Sequence, residues 1–349
     1  MAVEYKQNAP VLYGAGAINE LGDKLKEWGV EKALVMYDQG IKGAGIDKKV
    51  LDQLDAAGIP YVTYDQIPPD PPDTVVNECG EIAKKENVDA IIGLGGGSCM
   101  DAAKGVNFYV SNDLTDIRPY IDGPPIPQAP LKLKTIAIPT TSGTGSEVTF
   151  VAVLSDTEKG VKGGVFSPST LAILDPELCL TVPPHITTMT ALDALAHACE
   201  SYTSIAANPK ADILDLAAIS MIFKYLPIAY KDGSNLEARS QLMLAANFAG
   251  MGFSDTMIQI GHAMAEEIGG ALHLPHGFNC ALCLPPCMEW TAPAVPQRMR
   301  DMINAAGFDD NGLTDDELGP FFAQKIRDLA KECGLKSYKE MGFTKQDIT

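Results

Sequence analysis

The sequence predicts an α/β protein in two parts: a Rossmann-like parallel-sheet domain over residues 1–184 and an all-helical domain over 185–349. Three observations carry this. The chain has 349 residues, more than a single core of ~100–200 residues accommodates. Its first half alternates short, near-continuous apolar runs with helical stretches, the pattern of a parallel sheet covered on both faces. From residue 188 onward the apolar periodicity is helical and strand signal almost disappears.

In order, strands are expected at 32–37, 61–64, 90–94, 135–138 and 171–174, with helices between them such as 48–57 and 74–85. Pro183-Pro184 marks the change of character. Beyond it, helices are expected at 188–204, 211–229, 236–250, 256–269, 297–305 and 316–333. Ile67-Pro68-Pro69-Asp70-Pro71-Pro72-Asp73 reads as a stiff loop. Near the end, Thr344 with Asp347 three residues on resembles a helix start.

Composition narrows the function. Hydrophobic residues make up 46% of the chain, as in a globular enzyme and unlike a disordered chain. With 45 acidic against 27 basic residues the net charge is −18. Phosphate backbones and anionic lipid would repel such a chain, so neither nucleic-acid nor membrane binding is expected. The first residues lack signal character and no uninterrupted apolar run of about 18 residues occurs. The eight cysteines are scattered and mostly in apolar company, which points to buried free thiols in a reducing cytoplasm. Cys280-x-x-Cys283 has no second pair, and Cys287 does not complete a four-ligand zinc set.

Gly14-Ala15-Gly16-Ala17-Ile18-Asn19 begins like a dinucleotide fingerprint but has Asn19 where the third glycine belongs, and reads as a strand-to-helix turn. Gly95-Gly96-Gly97-Ser98 follows an expected strand and precedes a helix, so its amides and the helix N-terminus suit a pyrophosphate. A second loop, Pro139 to Glu147, also follows a strand and is dense in hydroxyls and glycines. Asp38 ends a strand, where a carboxylate binds ribose hydroxyls and repels a 2′-phosphate, favouring NAD. In the helical half, Asp193 and His197 stand at i and i+4 on one helix face. His262 and His276 lie in two further apolar, glycine-flanked segments. One Asp with three of the chain's five histidines makes a donor set for Fe(II) or Zn(II).

With these motifs the chain resembles, essentially end to end, the iron-containing (group III) alcohol dehydrogenase family, which includes lactaldehyde reductases, 1,3-propanediol dehydrogenases and methanol dehydrogenases. The resemblance implies an NAD-linked alcohol dehydrogenase or aldehyde reductase acting on small primary alcohols, diols or their aldehydes. It implies metal ligation by Asp193, His197, His262 and His276. It places Gly95, Gly96, Gly97, Ser98 and Asp101 at the pyrophosphate, and Thr140, Thr141, Ser142, Thr144 and Thr149 in a second cofactor loop. Lys162 matches a lysine reaching the ribose, Asp38 the NAD-selecting carboxylate, and Asp70 the adenine-side loop. A homodimer or larger assembly is also implied.

Three departures stand out. Glu266 occupies the place of the family's usual second histidine near the substrate, where it is expected to relay protons or meet a substrate hydroxyl. Pro69-Asp70-Pro71 replaces Pro-Asn-Pro. Relatives commonly run on past residue 349 by further helix. A dehydroquinate-synthase-like lyase shares the two-part plan, but it would need Arg and Lys around the metal, and 191–205 and 257–282 hold neither. An inactive nucleotide-binding scaffold is disfavoured by the intact four-ligand set.

Overall fold

The computed structural model describes residues 7–121, 123 and 129–347. These form two compact units, one spanning Gln7–Thr140 with Ser146–Leu178, the other comprising the chain from Cys179 onward together with the loop Thr141–Gly145. The division thus lies at 178/179, a few residues before Pro184, and the short loop after 140 belongs to the helical unit.

In the α/β unit the strands are β1 (Val11–Tyr13), β2 (Ala33–Met36), β3 (Tyr61–Tyr64), β4 (Ala90–Gly95), β5 (Lys134–Pro139), β6 (Val151–Asp156), β7 (Val161–Phe166) and β8 (Leu171–Leu174). Six of them form one sheet in the order β1-β8-β5-β4-β2-β3, every pairing parallel. Every residue of β2, β4 and β8 is buried, which is why these strands read as unbroken apolar runs rather than as alternation. The covering helices are α1 (Leu21–Glu27), α2 (Gln39–Gly43), α3 (Ile46–Ala57), α4 (Asp73–Lys85) and α5 (Gly97–Ser111). Gly14 and Gly16 sit at φ 141° and 80°, so that segment is a turn after β1. The antiparallel hairpin β6–β7 has no counterpart in the sequence reading. Its alternating burial, with Val153 38% and Val161 49% exposed, and the glycines Gly163 and Gly164 leave only a weak strand signal.

The helical unit contains α6 (Pro184–Tyr202), α7 (Pro209–Lys231), α8 (Leu236–Thr256), α9 (Ile260–Leu272), α10 (His276–Thr291), α11 (Pro296–Ala305) and α12 (Asp315–Glu332). Helix starts are chemically marked. Asn208 accepts from the Lys210 and Ala211 amides ahead of Pro209, and Thr314 with Glu317 forms a capping box. Sequence reading missed α10, because Pro285-Pro286 inside it look like a breaker. Helix α7 has the length and hydropathy of a membrane span, yet Ala218, Ile219, Ile222 and Leu226 pack it into the helical core.

The loop Thr141–Gly145 lies against α6 and α8 at distances only glycine permits. A Cβ on Gly143 would stand 2.8 Å from the Thr190 side chain, and one on Gly145, at φ +62°, would stand 2.5 Å from the Gly250 Cα.

Asp215 on α7 is fully buried and accepts from Ser201 Oγ of α6, which in turn accepts from Thr256 Oγ1 of α8 at 2.8 Å. Its Oδ1 has no partner. Burial, assisted by Asp212, pushes its pKa well above the ordinary carboxyl value against the opposing pull of Ser201 and Arg298. The folded state therefore keeps a proton that the unfolded chain releases above ~pH 4. Its contribution to stability is complete below that pH and declines as pH rises toward the folded-state value. Asp215→Asn should remove a slope of up to about 1.4 kcal/mol per pH unit. Denaturation midpoints of the two proteins between about pH 5 and pH 8 check this; a constant difference across that range contradicts it.

Candidate metal centre and cofactor loops

In the α/β unit, β4 runs into Gly95 and Gly96 and then straight into α5. Gly95 is at φ +147°, and a Cβ there would lie 2.6 Å from Cys99 Sγ, so the turn requires glycine. Gly96 as N-cap offers no side chain to the first α5 amides, and the 15-residue helix beginning at Gly97 directs its positive end at that loop. A 530 Å³ cavity opens beside it, lined among others by Asp38, Pro68, Gly96 and Ser98. Asp38 leaves β2 and caps α2, its Oδ1 accepting from the Ile41 amide at 2.8 Å.

Several of the other implied cofactor residues are hydrogen-bonded or ion-paired in the same unit. Ser98 Oγ accepts from the Asp70 amide at 3.2 Å, and Asp70 Oδ1 pairs with Lys162 Nζ at 2.8 Å. Asp101 Oδ1 accepts from Ser146 Oγ at 2.6 Å. The Thr140 amide donates to the Gly95 carbonyl at 2.9 Å, a bond that joins the ends of β4 and β5, the two strands that carry the loops. The buried hydroxyl of Thr149, implied at the cofactor, is engaged by Lys104 Nζ at 3.0 Å. Lys104 is a residue the sequence reading passed over. It is fully buried on α5 and also reaches Asp101 at 3.1 Å and the Ser146 carbonyl at 2.9 Å, so it ties α5 to the start of the hairpin. Thr141, Ser142 and Thr144 lie in the loop that belongs to the helical unit.

The candidate metal centre assembles on three helices of the helical unit. Helix α6 supplies Asp193 and, one turn on, His197; α9 supplies His262 in its first turn; α10 begins at His276. Glycines beside two of the histidines let their helices approach α6. A Cβ on Gly261 would lie 2.5 Å from Glu200 Oε1, and one on Gly277 would lie 2.7 Å from the Met189 carbonyl. Asp193 Oδ1 stands 3.6 Å from His262 Nε2 and 3.7 Å from His276 Nε2. One potential donor atom from each of Asp193, His262, His276 and Cys280 lies within 4.8 Å of the others. His197 adjoins this group: its ring stacks on His262 with centroids 4.4 Å apart and on Phe253 at 4.3 Å.

The donor set fits a divalent cation. Asp193 Oδ1, His197 Nδ1 and His262 Nε2 are buried without a hydrogen-bond partner, an arrangement that is costly unless an ion satisfies it. Carboxylate and imidazole suit Fe(II) or Zn(II). Burial, and the neighbouring His262 and His276, lower the His197 pKa to about 3 against the pull of Asp193, so this ring is neutral, as a ligand must be. Burial opposes ionisation of Asp193, but the surrounding imidazoles outweigh it and hold its carboxyl below the usual range. Behind His262 stands Glu200, a fully buried residue that sequence reading did not single out. Its Oε1 meets His262 Nδ1 at 2.8 Å, and its Oε2 accepts from the Gln259 amide at 2.6 Å. This fixes the ring so that Nε2 points at Asp193. Glu200 was visible in principle, since it lies seven residues after Asp193, two turns along the same face. Glu266 lies one turn after His262 on α9, exposed and outside the donor group.

A parallel α/β unit with a glycine-rich turn at the end of β4, joined in one chain to a helical unit bearing a candidate Asp–His metal centre, fits the class of metal-dependent, nicotinamide-linked oxidoreductases. Residues 8–176 match the family model described as iron-containing alcohol dehydrogenase, and residues 187–349 match that of the family's C-terminal part. A choline dehydrogenase from Bacillus subtilis is 36% identical, over 96% of this chain and 84% of its own length. An alcohol dehydrogenase from Oenococcus oeni superposes with a TM-score of 0.94 at 32% identity, covering 99% of this chain and 91% of the other. A sulfoacetaldehyde reductase from Bifidobacterium kashiwanohense, solved in complex with NAD+, superposes with a TM-score of 0.89 at 30% identity, covering 99% and 90%. The chain belongs to the iron-containing alcohol dehydrogenase family, and its activity is that of an NAD-dependent alcohol dehydrogenase.

The position of Glu200 yields a test. Glu200→Gln should weaken metal affinity by roughly 10- to 100-fold, the effect of removing an outer carboxylate from a ligating histidine. Competition with a chelator measures it; unchanged affinity contradicts the positioning role.

Proposed function

We propose that this enzyme interconverts small neutral or cationic primary alcohols and diols with their aldehydes, using NAD and one Fe(II) or Zn(II) ion. The reading rests above all on the convergence of the unpartnered Asp193 Oδ1 and His262 Nε2 with His276. Asp193, His262 and His276 hold the ion, with His197 as the fourth donor implied by the family. When bound, the ion supplies Lewis acidity toward the alcohol or carbonyl oxygen, and NAD carries the hydride.

The chain's own residues bind and select. The α5 N-terminus and the amides of Gly95, Gly96, Gly97 and Ser98 receive the pyrophosphate. Asp38, on the wall of the cavity beside them, receives the ribose hydroxyls. Asp70 and Lys162, already paired with each other, stand at the ribose and adenine side, and Asp101 supports the loop through Ser146. Thr140, Thr141, Ser142 and Thr144 supply hydroxyls from the second loop. Glu266 places an exposed carboxylate one helical turn from His262, where it repels anionic substrates and attracts cationic ones. Relatives include proteins named for a cationic alcohol, choline, and for an anionic aldehyde, sulfoacetaldehyde. Glu266 supports the neutral or cationic side of that range. All eight cysteines are free and buried, which supports a reducing compartment, the cytoplasm.

Protein purified without oxygen should carry stoichiometric iron or zinc and form NADH from choline-like, neutral and diol alcohols in preference to hydroxysulfonates. His262→Ala should lose the metal; a variant that keeps metal and full activity would refute the centre. For Glu266→Gln, the ratio of kcat/KM between cationic and anionic substrates should fall by roughly three- to tenfold, the scale of one partly solvated charge at about 1 kcal/mol. An unchanged ratio removes Glu266 from substrate selection. For Asp38→Ala, NADP should gain on NAD by roughly tenfold, about 1.4 kcal/mol of relieved repulsion. Cofactor titration of both forms decides it.

A further inference from the structure

We propose that Cys280 is a thiolate donor to the metal ion, an addition to the Asp and His ligands. The inference rests on the metal reading above. Cys280 lies four residues after His276 on α10, so the two side chains leave the same face one turn apart. Its Sγ stands 3.4 Å from His276 Nε2 and within 4.8 Å of the donor atoms of Asp193 and His262. The second observation is independent of the thiol: Asp193 Oδ1 and His262 Nε2 are buried and unpartnered and belong to the same donor group.

The spacings suit a shared ion. Zinc holds imidazole nitrogen and carboxylate oxygen at ~2.0–2.2 Å and thiolate sulfur at ~2.3 Å. Neighbouring donor atoms on one such ion then stand roughly 3.0–3.6 Å apart, for donor–ion–donor angles from about 90° to tetrahedral. Three of the separations are 3.4, 3.6 and 3.7 Å and the other pairs lie within 4.8 Å, so modest side-chain adjustments bring the donors onto one ion. Cys283 and Cys287 on the same helix are not in the donor group. Cys287 Sγ instead faces Thr291 Oγ1 at 4.0 Å.

Ligation replaces the S–H bond with a sulfur–metal bond, and the proton passes to solvent with no change of oxidation state. A thiolate beside Asp193 would balance the charge of a divalent ion, lowering the net charge of the centre from +1 to zero. A soft sulfur donor also favours zinc more than carboxylate and imidazole alone do.

The test is spectroscopic. The full-length protein loaded with Zn(II) is measured by X-ray absorption, and the Co(II)-substituted protein by near-ultraviolet absorption. Expected are a sulfur neighbour at ~2.3 Å and the intense sulfur-to-Co(II) charge-transfer band that imidazole and carboxylate do not produce. Cys280→Ser should lose both signals while keeping the ion, and Cys283→Ser should keep both. Bound ion without sulfur in the wild type overturns the inference and leaves the metal reading standing. Persistence of sulfur in Cys280→Ser overturns it in favour of another thiol. Failure of the wild type to bind either ion overturns both readings. Should Cys280→Ser not fold, the wild-type signals together with their retention in Cys283→Ser and Cys287→Ser decide for Cys280, and their loss in either decides against it.

Discussion

A buried carboxylate in a helical core is the constraint on which the rest of this structure depends. Asp193 is 2% exposed in the middle of an α6 segment whose other buried residues are mostly Ala, Leu and Cys. A charge there is untenable without a counter-charge. The chain meets that need by bringing two imidazoles to it from other helices, with a second buried carboxylate, Glu200, behind one of them. Two acids around one imidazole make a pocket that demands a cation. A cation held at this candidate centre would make the charged core compatible with folding.

Close helix approach makes this arrangement possible. Gly261 directly precedes His262 and Gly277 directly follows His276, and each faces an α6 atom at a distance that excludes a Cβ. The alanines of α6, among them Ala191, Ala194 and Ala198, are fully packed. The same logic recurs in the α/β unit, where Gly95 makes room for Cys99 and leaves the first amides of α5 uncovered. Lys104 plays there the part of the buried charge, opposed by Asp101 and bonded to three oxygens around Ser146, Thr149 and Val151. In each unit a buried ionic cluster thus fixes loops or helices that carry its candidate chemistry.

Much of this was legible in the chain. The central strands announced themselves because burial on both faces makes them uniformly apolar, and most of the helices because their apolar faces repeat with helical period. Asp193 and His197 could be paired because i and i+4 share a face in any helix. The elements that escaped were those whose signals conflict. The hairpin β6–β7 is half exposed and rich in glycine. Helix α10 carries Pro285-Pro286, which tolerate a helical setting here although proline ordinarily ends one. Missing α10 also concealed Cys280, because the turn relating it to His276 exists only if the segment is helical.

By itself the sequence determined the two-part plan, the glycine-rich turns, and the donor types available for a metal, since each depends on residues close together in the chain. Only the tertiary structure decided which donors meet. Residues 193, 262 and 276 are remote in sequence, and their convergence depends on how α6, α9 and α10 pack. That packing brought Glu200 behind His262, set Cys280 among the donors and left His197 stacked beside them. It also drew the loop Thr141–Gly145 into the helical unit. Local periodicity encodes which face a side chain occupies; the partner facing it is set by the packing of distant segments, which no local pattern contains.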